Sequence, residues 1–415
     1  MKSPFVPVLL VVFQAFPALA SLPPSANSAR DALQPTVIRV RVAEAVPHVS
    51  VHGFDLRVYE SRGQRKLASS PPKSSEWELR CQDGRVRALS GATALDLREP
   101  VTISSLSGFV SVSSIPYRET IEIRSTGSFC EVINLVDIEK YLDGVVNAEF
   151  NARWNEEAIG AQVIAARTYA LHQIRVARAD PDRHFDVDAT TSDQVYAGSR
   201  REDFRASRAV ERTRGMVLTV GDATRPLPLK AFYHSTCGGV TELPQHVWGG
   251  NFEGFKRPVV CPYCRSSPAL SWKLELPASE VEKTLRRSAA VAGDAVGKAW
   301  KEILASGGKL ESLQAGAVNE EGRVARVTSI WRIGARRIEV EIPGARFRDW
   351  IGPARFRSAA FQLSRDASGW KFEGRGNGHG VGMCQWGAKT MGEKGFKTAA
   401  ILRHYYPDAV LRKLW

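Results

Sequence analysis

Residues 136–171 read VDIEKYLDGVVNAEFNARWNEEAIGAQVIAARTYAL, and their spacing predicts two consecutive helices. Asp137 can cap the first, because its side-chain oxygen can accept an otherwise orphaned amide of the opening turn. Ile138, Tyr141, Leu142, Val145 and Val146 then recur at helical spacing. Glu149 follows about three full turns after Ile138, so it points the same way as that apolar stripe, with Phe150 and Trp154 beside it. A carboxylate facing apolar surroundings loses hydration and its pKa rises, which suits a general acid working near neutral pH. The plainer alternative is a Glu149 that closes the stripe and pairs with Arg153 or Arg167. Asn155 can cap the second helix, and Glu156 and Glu157 sit in its first turn, where the helix dipole favours acids. Ile159, Val163 and Ala170 mark its inner face, and Arg167 lies within about 40° of Val163.

Outward from this pair the chain changes character. From Thr36 to about Ser128, short alternating runs such as VIRVRV, FDLRVYE, GRVRAL and ETIEIRS are separated by Gly, Pro and Ser clusters, the pattern of an all-β lobe. After the helices a polar, turn-rich segment begins at Asp186 (DVDATTSDQVYAG), and a strand, LKAFYHS, then leads into STCGGVTE. Residues 278–305 read as amphipathic helix and 322–342 as strands, together a small inserted subdomain at about 278–345. The expected fold class is α+β: a β-rich N-terminal lobe over 36–128, then a mixed α/β catalytic region over 129–415 that carries the insert.

The N-terminus has Lys2, an apolar run from Phe5 to Phe16 and the small-residue pattern Ala18-Leu19-Ala20, which together predict a secretory signal peptide over 1–20. Residues 21–35, polar and proline-containing, read as a linker. The apolar run is too short to span a bilayer, and no later segment is long and apolar enough, so the mature chain is expected to be exported, to the periplasm or cell-wall space, without a transmembrane segment. The formal charge of the 415-residue chain is +13, and removing Lys2 leaves 13 − 1 = +12. A basic chain attracts anionic partners, and for an exported one wall polymers and anionic lipids come before nucleic acid.

Gly374-Arg-Gly-Asn-Gly-His-Gly-Val-Gly382 places glycine at every second position. If extended, such a run leaves one face without side chains, so a backbone or ligand can come close while Arg375, Asn377 and His379 project from the other face. His234 and Ser235 are neighbours, but sequence neighbours rarely have triad geometry and no G-x-S-x-G elbow is present. Export allows disulfides. Cys237 and Cys384 lie in the two glycine loops, and Cys261-Pro-Tyr-Cys264 has both zinc-ligand and redox-motif spacing. Four thiolates for a structural zinc and two disulfides both remain open for these four residues.

In order along the chain, YLDGVVNAEF (141–150), AIGAQVIAARTYAL (158–171), TTSDQVYAG (190–198), FYHSTCGGVTE (232–242), VWGG (247–250), GRGNGHGVGMCQWGAK (374–389) and ILRHYYP (401–407) resemble the SpoIID/LytB family of stage II sporulation protein D and amidase enhancers. The resemblance implies an exported peptidoglycan lytic transglycosylase. Such an enzyme cleaves glycan strands, at least in sporulation members those stripped of stem peptides, between N-acetylmuramic acid and N-acetylglucosamine and leaves 1,6-anhydro ends. It needs one catalytic glutamate and no cofactor for the chemistry. The family's glutamate falls on Glu149, and its other motif residues on Arg167, Tyr169, Gln194, Tyr196, His234, Ser235, His379 and Gln385, as substrate-binding groups. The partners implied are glycan strands and a cell-wall amidase. A non-catalytic wall-binding or amidase-activating protein is the alternative, and a hydrolase using Asp193 or Glu242 as second carboxylate a third reading. The chain departs from the family at Asn151, where proline is frequent, and at Asn377, where an aromatic is. Some relatives carry zinc-ligating Cys and His in the loop matching Asp186 to Tyr196, and this loop has neither.

Overall fold

The alternation of the N-terminal half builds one large sheet. A computed structural model describes residues 36–60, 65–69, 74–222, 224–293 and 296–415; the expected signal peptide and linker lie outside the described residues. The chain divides into two compact units, one of residues 36–232 with 388–415 and the other Tyr233–Gly387.

In the first unit the strands are β1 (Val37–Val46), β2 (Val49–Phe54), β3 (Leu56–Glu60), β4 (Arg65–Ser69), β5 (Ser74–Gln82), β6 (Arg85–Ser90), β7 (Thr93–Arg98), β8 (Val101–Val112), β9 (Ile115–Thr126), β10 (Phe129–Asp137) and β11 (Val187–Asp188). They pair in the order β11-β1-β10-β9-β8-β2-β5-β6-β7, with the β3–β4 hairpin hanging from β8. Their inward residues, among them Ile38, Val40, Val51, Leu79, Val86, Ile103, Ile121 and Val132, are fully buried, as a period-2 pattern with one face on a core requires. Cys81 and Cys130 form a disulfide that ties β5 to β10, strands that do not pair with each other.

β10 runs straight into helix α1 (Ile138–Glu149), and α2 (Glu156–Ala177) follows. Asp137 caps α1 by accepting the amides of Glu139 and Lys140, and Asn155 caps α2 by accepting that of Glu157. The stripe Ile138, Tyr141, Leu142, Val145 and Val146 is fully buried. α2 is buried over a wider face than the expected one: every residue from Ala158 to Ala170 is enclosed. The reason is that α1, α3 (Phe204–Arg212), the strand Met216–Val220 and the helix Thr398–Tyr405 surround it. Among the described residues the only parallel pairing of the large sheet, β11 on β1 with Val40 opposite Val187 and Arg41 opposite Asp188, brings the segment after α2 to the sheet edge.

The second unit has its own core, in which Trp272, Trp300, Trp331, Phe347, Phe356, Phe361 and Phe372 pack together. The strand Ser271–Leu276 pairs with Gly369–Arg375, which pairs with Phe361–Asp366. Between them lie the helices Ala278–Ala292 and Lys298–Ser306 and an antiparallel sheet of Lys309–Ala315, Arg326–Ile333 and Arg336–Pro343. The α+β class read from the sequence is the class observed.

Candidate active site

Glu149 is the last residue of α1. Its carboxylate stands at the negative end of the helix dipole and is only partly accessible, with Oε1 accepting the Val195 amide. Burial pushes its pKa above the ordinary carboxylate range, against the opposing pull of the Val195 N–H that donates to Oε1. The Phe150 and Trp154 rings pack edge to face, their centroids 4.7 Å apart.

The loop that offers this amide is held on both sides of Val195. Gln194 is fully buried; its Oε1 accepts the Tyr141 hydroxyl at 3.1 Å, and its Nε2 donates to the Ala166 carbonyl at 3.4 Å. The Tyr196 hydroxyl donates to Asn134 Oδ1 at 2.8 Å, and its ring lies 5.0 Å from that of Tyr141. The ring passes so close to α1 that a Cβ on Gly144 would fall 2.5 Å from it and 2.6 Å from the Gly198 carbonyl oxygen. Gly144 therefore lets the loop seat on the helix, at the cost of helix propensity. Farther back, Arg39 grips Asp186 through Nε and Nη2 at 3.0 and 2.8 Å, and Arg41 grips Asp188 through Nε and Nη2 at 2.7 and 3.1 Å. Ion pairs thus fasten a loop that has neither Cys nor His.

Several expected substrate contacts take other places in this structure. Arg167 meets neither Glu149 nor solvent: it is fully buried and its Nε and Nη2 bond the Glu139 carboxylate, with Nη2 to Oε2 at 2.6 Å. Twenty-eight residues separate the two partners, and a guanidinium this deep must be matched by a carboxylate. Gln194 and Tyr196 are likewise buried, with their polar groups spent within the unit. Tyr169 donates to Asp193 Oδ1 at 2.9 Å. Asp193 also takes the Gln173 amide at 2.6 Å and the Asp188 N–H at 2.9 Å, so this candidate second carboxylate is an anchor of the loop.

Sequence reasoning missed Asp143. It is half-buried on α1, and burial raises its pKa to about 6, with a Ser207 hydrogen bond opposing. Six residues before Glu149, it faces about 120° away round the helix. An acid directly before Gly144, in the same turn as the stripe, was the available signal.

The second unit gathers the rest. The two-residue strands Tyr233–His234 and Met383–Cys384 pair in parallel. The buried His234 places Nδ1 3.0 Å from the Val381 carbonyl, and its Nε2 has no hydrogen-bond partner among the described residues. Burial lowers its pKa to about 3, so it is neutral at neutral pH. The His379 ring centroid is 5.6 Å from that of His234 and 5.0 Å from that of the half-exposed Trp248; burial lowers the His379 pKa as well. Ser235 is partly accessible, with Oγ 3.4 Å from Thr236 Oγ1, and Gln385 is buried at the start of the helix Gln385–Glu393. Glu242 is buried and accepts from Leu243 N–H and Asn319 Nδ2, with His246 Nδ1 2.9 Å from Oε1.

The glycine run does not take the extended course under which Arg375, Asn377 and His379 would share one face. The strand ends at Arg375, and beyond it the glycines take positive φ. At Gly378, φ is 106° and a Cβ would come within 2.9 Å of His234 Cβ, so both conformation and space demand glycine there. Close approach by a backbone, as read from the spacing, does occur: Asn377 and Thr236 exchange backbone hydrogen bonds. Cys237, Cys261, Cys264 and Cys384 are buried and unbridged, with all four sulfurs within 4.8 Å of one another.

These observations define an α+β protein in which a sheet feeds a helix that ends on a partly buried acid, presented to a loop amide. Residues 126–220 match the family described as SpoIID, stage II sporulation protein. That span holds β10, both helices and the loop through Tyr196. An uncharacterized protein of Brachyspira hyodysenteriae is 27% identical over 354 residues, covering 84% of each chain. The amidase enhancer of Bacillus subtilis is 29% identical over 302 residues, 65% of this chain and 40% of that one. Stage II sporulation protein D of Bacillus amyloliquefaciens is 27% identical over 284 residues, 65% of this chain and 73% of its own. By these matches the chain is similar to the SpoIID/LytB family of stage II sporulation protein D and amidase enhancers. Among the described residues no helix is long and apolar enough to cross a membrane.

Proposed function

We propose that this protein is an exported peptidoglycan lytic transglycosylase with Glu149 as its single acid and base. The observation that carries the reading is the setting of Glu149: a partly accessible carboxyl whose pKa is raised by burial and whose orientation is fixed by the Val195 amide. In the first step the protonated Glu149 gives its proton to the glycosidic oxygen as the bond to the muramic acid C1 breaks. The resulting carboxylate then takes the proton of the muramic acid's own 6-hydroxyl, whose oxygen bonds to C1. The products are a new hydroxyl on the departing strand and a 1,6-anhydro end, with Glu149 protonated again. One carboxyl suffices because the nucleophile comes from the substrate. Tyr169, Gln194 and Tyr196 serve as positioning residues for the loop and Arg167 as the counter-ion of Glu139, while His234, Ser235, His379 and Gln385 remain the substrate-binding candidates carried by the second unit.

Glycan strands already stripped of stem peptides are the proposed substrate, which places the enzyme after a cell-wall amidase. Purified protein and its Glu149→Gln variant, incubated with intact and amidase-treated wall glycan, test this by product mass. Anhydro ends from the wild type alone are expected; equal yields from both would overturn it. The relative named amidase enhancer favours a second reading, a non-catalytic wall-binding or amidase-activating role. That role predicts amidase stimulation that survives Glu149→Gln.

A further inference from the structure

We infer that Cys237, Cys261, Cys264 and Cys384 bind one zinc ion in a tetrahedral all-sulfur centre, which holds the glycine run in place. This inference is independent of the role of Glu149. Four buried sulfurs lie mutually within 4.8 Å, and Cys237 Sγ is 3.6 Å from Cys264 Sγ. A tetrahedral ion with Zn–S bonds of about 2.3 Å sets its sulfurs about 3.8 Å apart, so the cage has the right size. Two disulfides would have to draw the same four atoms into pairs, each at about 2.0 Å.

The surroundings suit thiolates. The Cys237 N–H points to Cys384 Sγ at 3.3 Å, and the amides of Gly239 and Gly387 point to Cys237 Sγ and Cys384 Sγ, each at 3.4 Å. Such outer-shell donors stabilise negative sulfur and orient the ligands. Arg323, almost fully buried, bonds the carbonyls of Cys237 and Val240 through Nη2 at 3.0 and 3.1 Å, and its charge opposes the net negative charge of a zinc tetrathiolate. Soft, tetrahedral sulfur donors select zinc or iron, and zinc is the ion that brings no redox chemistry to a structural site.

The donors come from three segments: the Cys-Gly-Gly turn after His234, the short helical turn at Pro262–Ser266 with the residue before it, and the strand Met383–Cys384. One ion would therefore clamp the start and end of the loop system that bears His234 and His379. A proline-led Cys261–Cys264 turn supplies two ligands from one short stretch, which shortens the chain that must be ordered.

The test uses the intact exported protein, purified without chelator or reductant. Elemental analysis is expected to give one zinc per chain, and thiol titration four cysteines that react only after the protein is denatured in the presence of a chelator. Cobalt substituted for zinc should give thiolate-to-cobalt charge-transfer bands and intense tetrahedral d–d bands. Cys384→Ser should lower retained zinc to near zero during dialysis against a weak chelator. Should that variant not fold, the cobalt spectrum of the intact protein still decides. Metal-free protein, whether with two further disulfides or with four exposed thiols, would overturn the inference, as would stoichiometric iron.

Discussion

Residues 186–196 in the first unit and the glycine run 374–382 in the second are both loops that carry motif residues, yet different groups fasten them. The first is pinned by charge: Arg39 to Asp186, Arg41 to Asp188, and Asp193 to Tyr169 and Gln173. The second is seated by close backbone contacts at glycines, beside four clustered sulfurs that the inferred zinc would join. A charged pin fixes register through forked, directional bonds. A sulfur cluster holds only through a bound metal or through disulfides, so it depends on metal or redox state. The first loop thus answers to substitutions that unbalance charge or volume around α1, and the second to chelation and oxidation.

The largest expected effect breaks the first loop's purpose. Glu149→Gln should lower formation of anhydro ends by about 10²–10⁴-fold, the usual worth of a positioned general acid, while leaving the fold intact. Asp143→Asn should leave that rate nearly unchanged, although Asp143 has a pKa near that of an acid catalyst, about 6. The opposite pattern in product assays would move the acid to Asp143.

Next comes the buried pair beneath the loop. Arg167→Met leaves Glu139 enclosed without its counter-ion and should cost about 3–5 kcal/mol, read by urea titration with hydrogen exchange at the amides of α1 and α2. Replacing Glu139 by Met as well should recover most of that loss, because the double variant removes both charges. A single substitution that cost under about 1 kcal/mol would show that this pair does not hold the helices.

Gly144→Ala sharpens the contrast with the glycine run. On an exposed helix the change would stabilise by about 1 kcal/mol. Here the new methyl meets the Tyr196 ring and the Gly198 carbonyl, so we expect a net loss of about 1–3 kcal/mol, with a larger fall in activity as the Val195 amide moves from Glu149. A rise in melting temperature would refute the packing account.

Local signals made the sheet, both helices, their caps and the stripe of α1 legible, because period and capping are properties of neighbouring residues. The helix and strands read between 278 and 342 also recur as elements. What stayed hidden depends on partners far along the chain. Nothing near Arg167 announces Glu139, since both sit on helical faces whose packing is set by α3 and by the strand Met216–Val220. The enclosure of α2 on all sides is equally non-local. The path of the glycine run was not legible either, because its spacing is compatible with an extended course, whereas positive φ at successive glycines bends the chain. Cys81 and Cys130 gave no spacing clue to their pairing, which follows from how β5 meets β10.

The smallest expected effect concerns stability and pH at Glu149 itself. Burial, the dominant influence, raises its folded pKa, so folding favours the protonated form. That contribution is fully present below the unfolded carboxyl range and is lost as pH rises through the raised folded value. Glutamine mimics the protonated acid and can still accept the Val195 amide. Glu149→Gln should therefore match the wild type in acid and exceed it by roughly 1 kcal/mol or less above the folded pKa, as followed by thermal melts across pH. The same titration should end cleavage by the wild type on the alkaline side, because a general acid that has lost its proton has none to give. A melting-temperature difference independent of pH would mean that Glu149 keeps its charge at no cost, and the proposed acid would lose its physical basis.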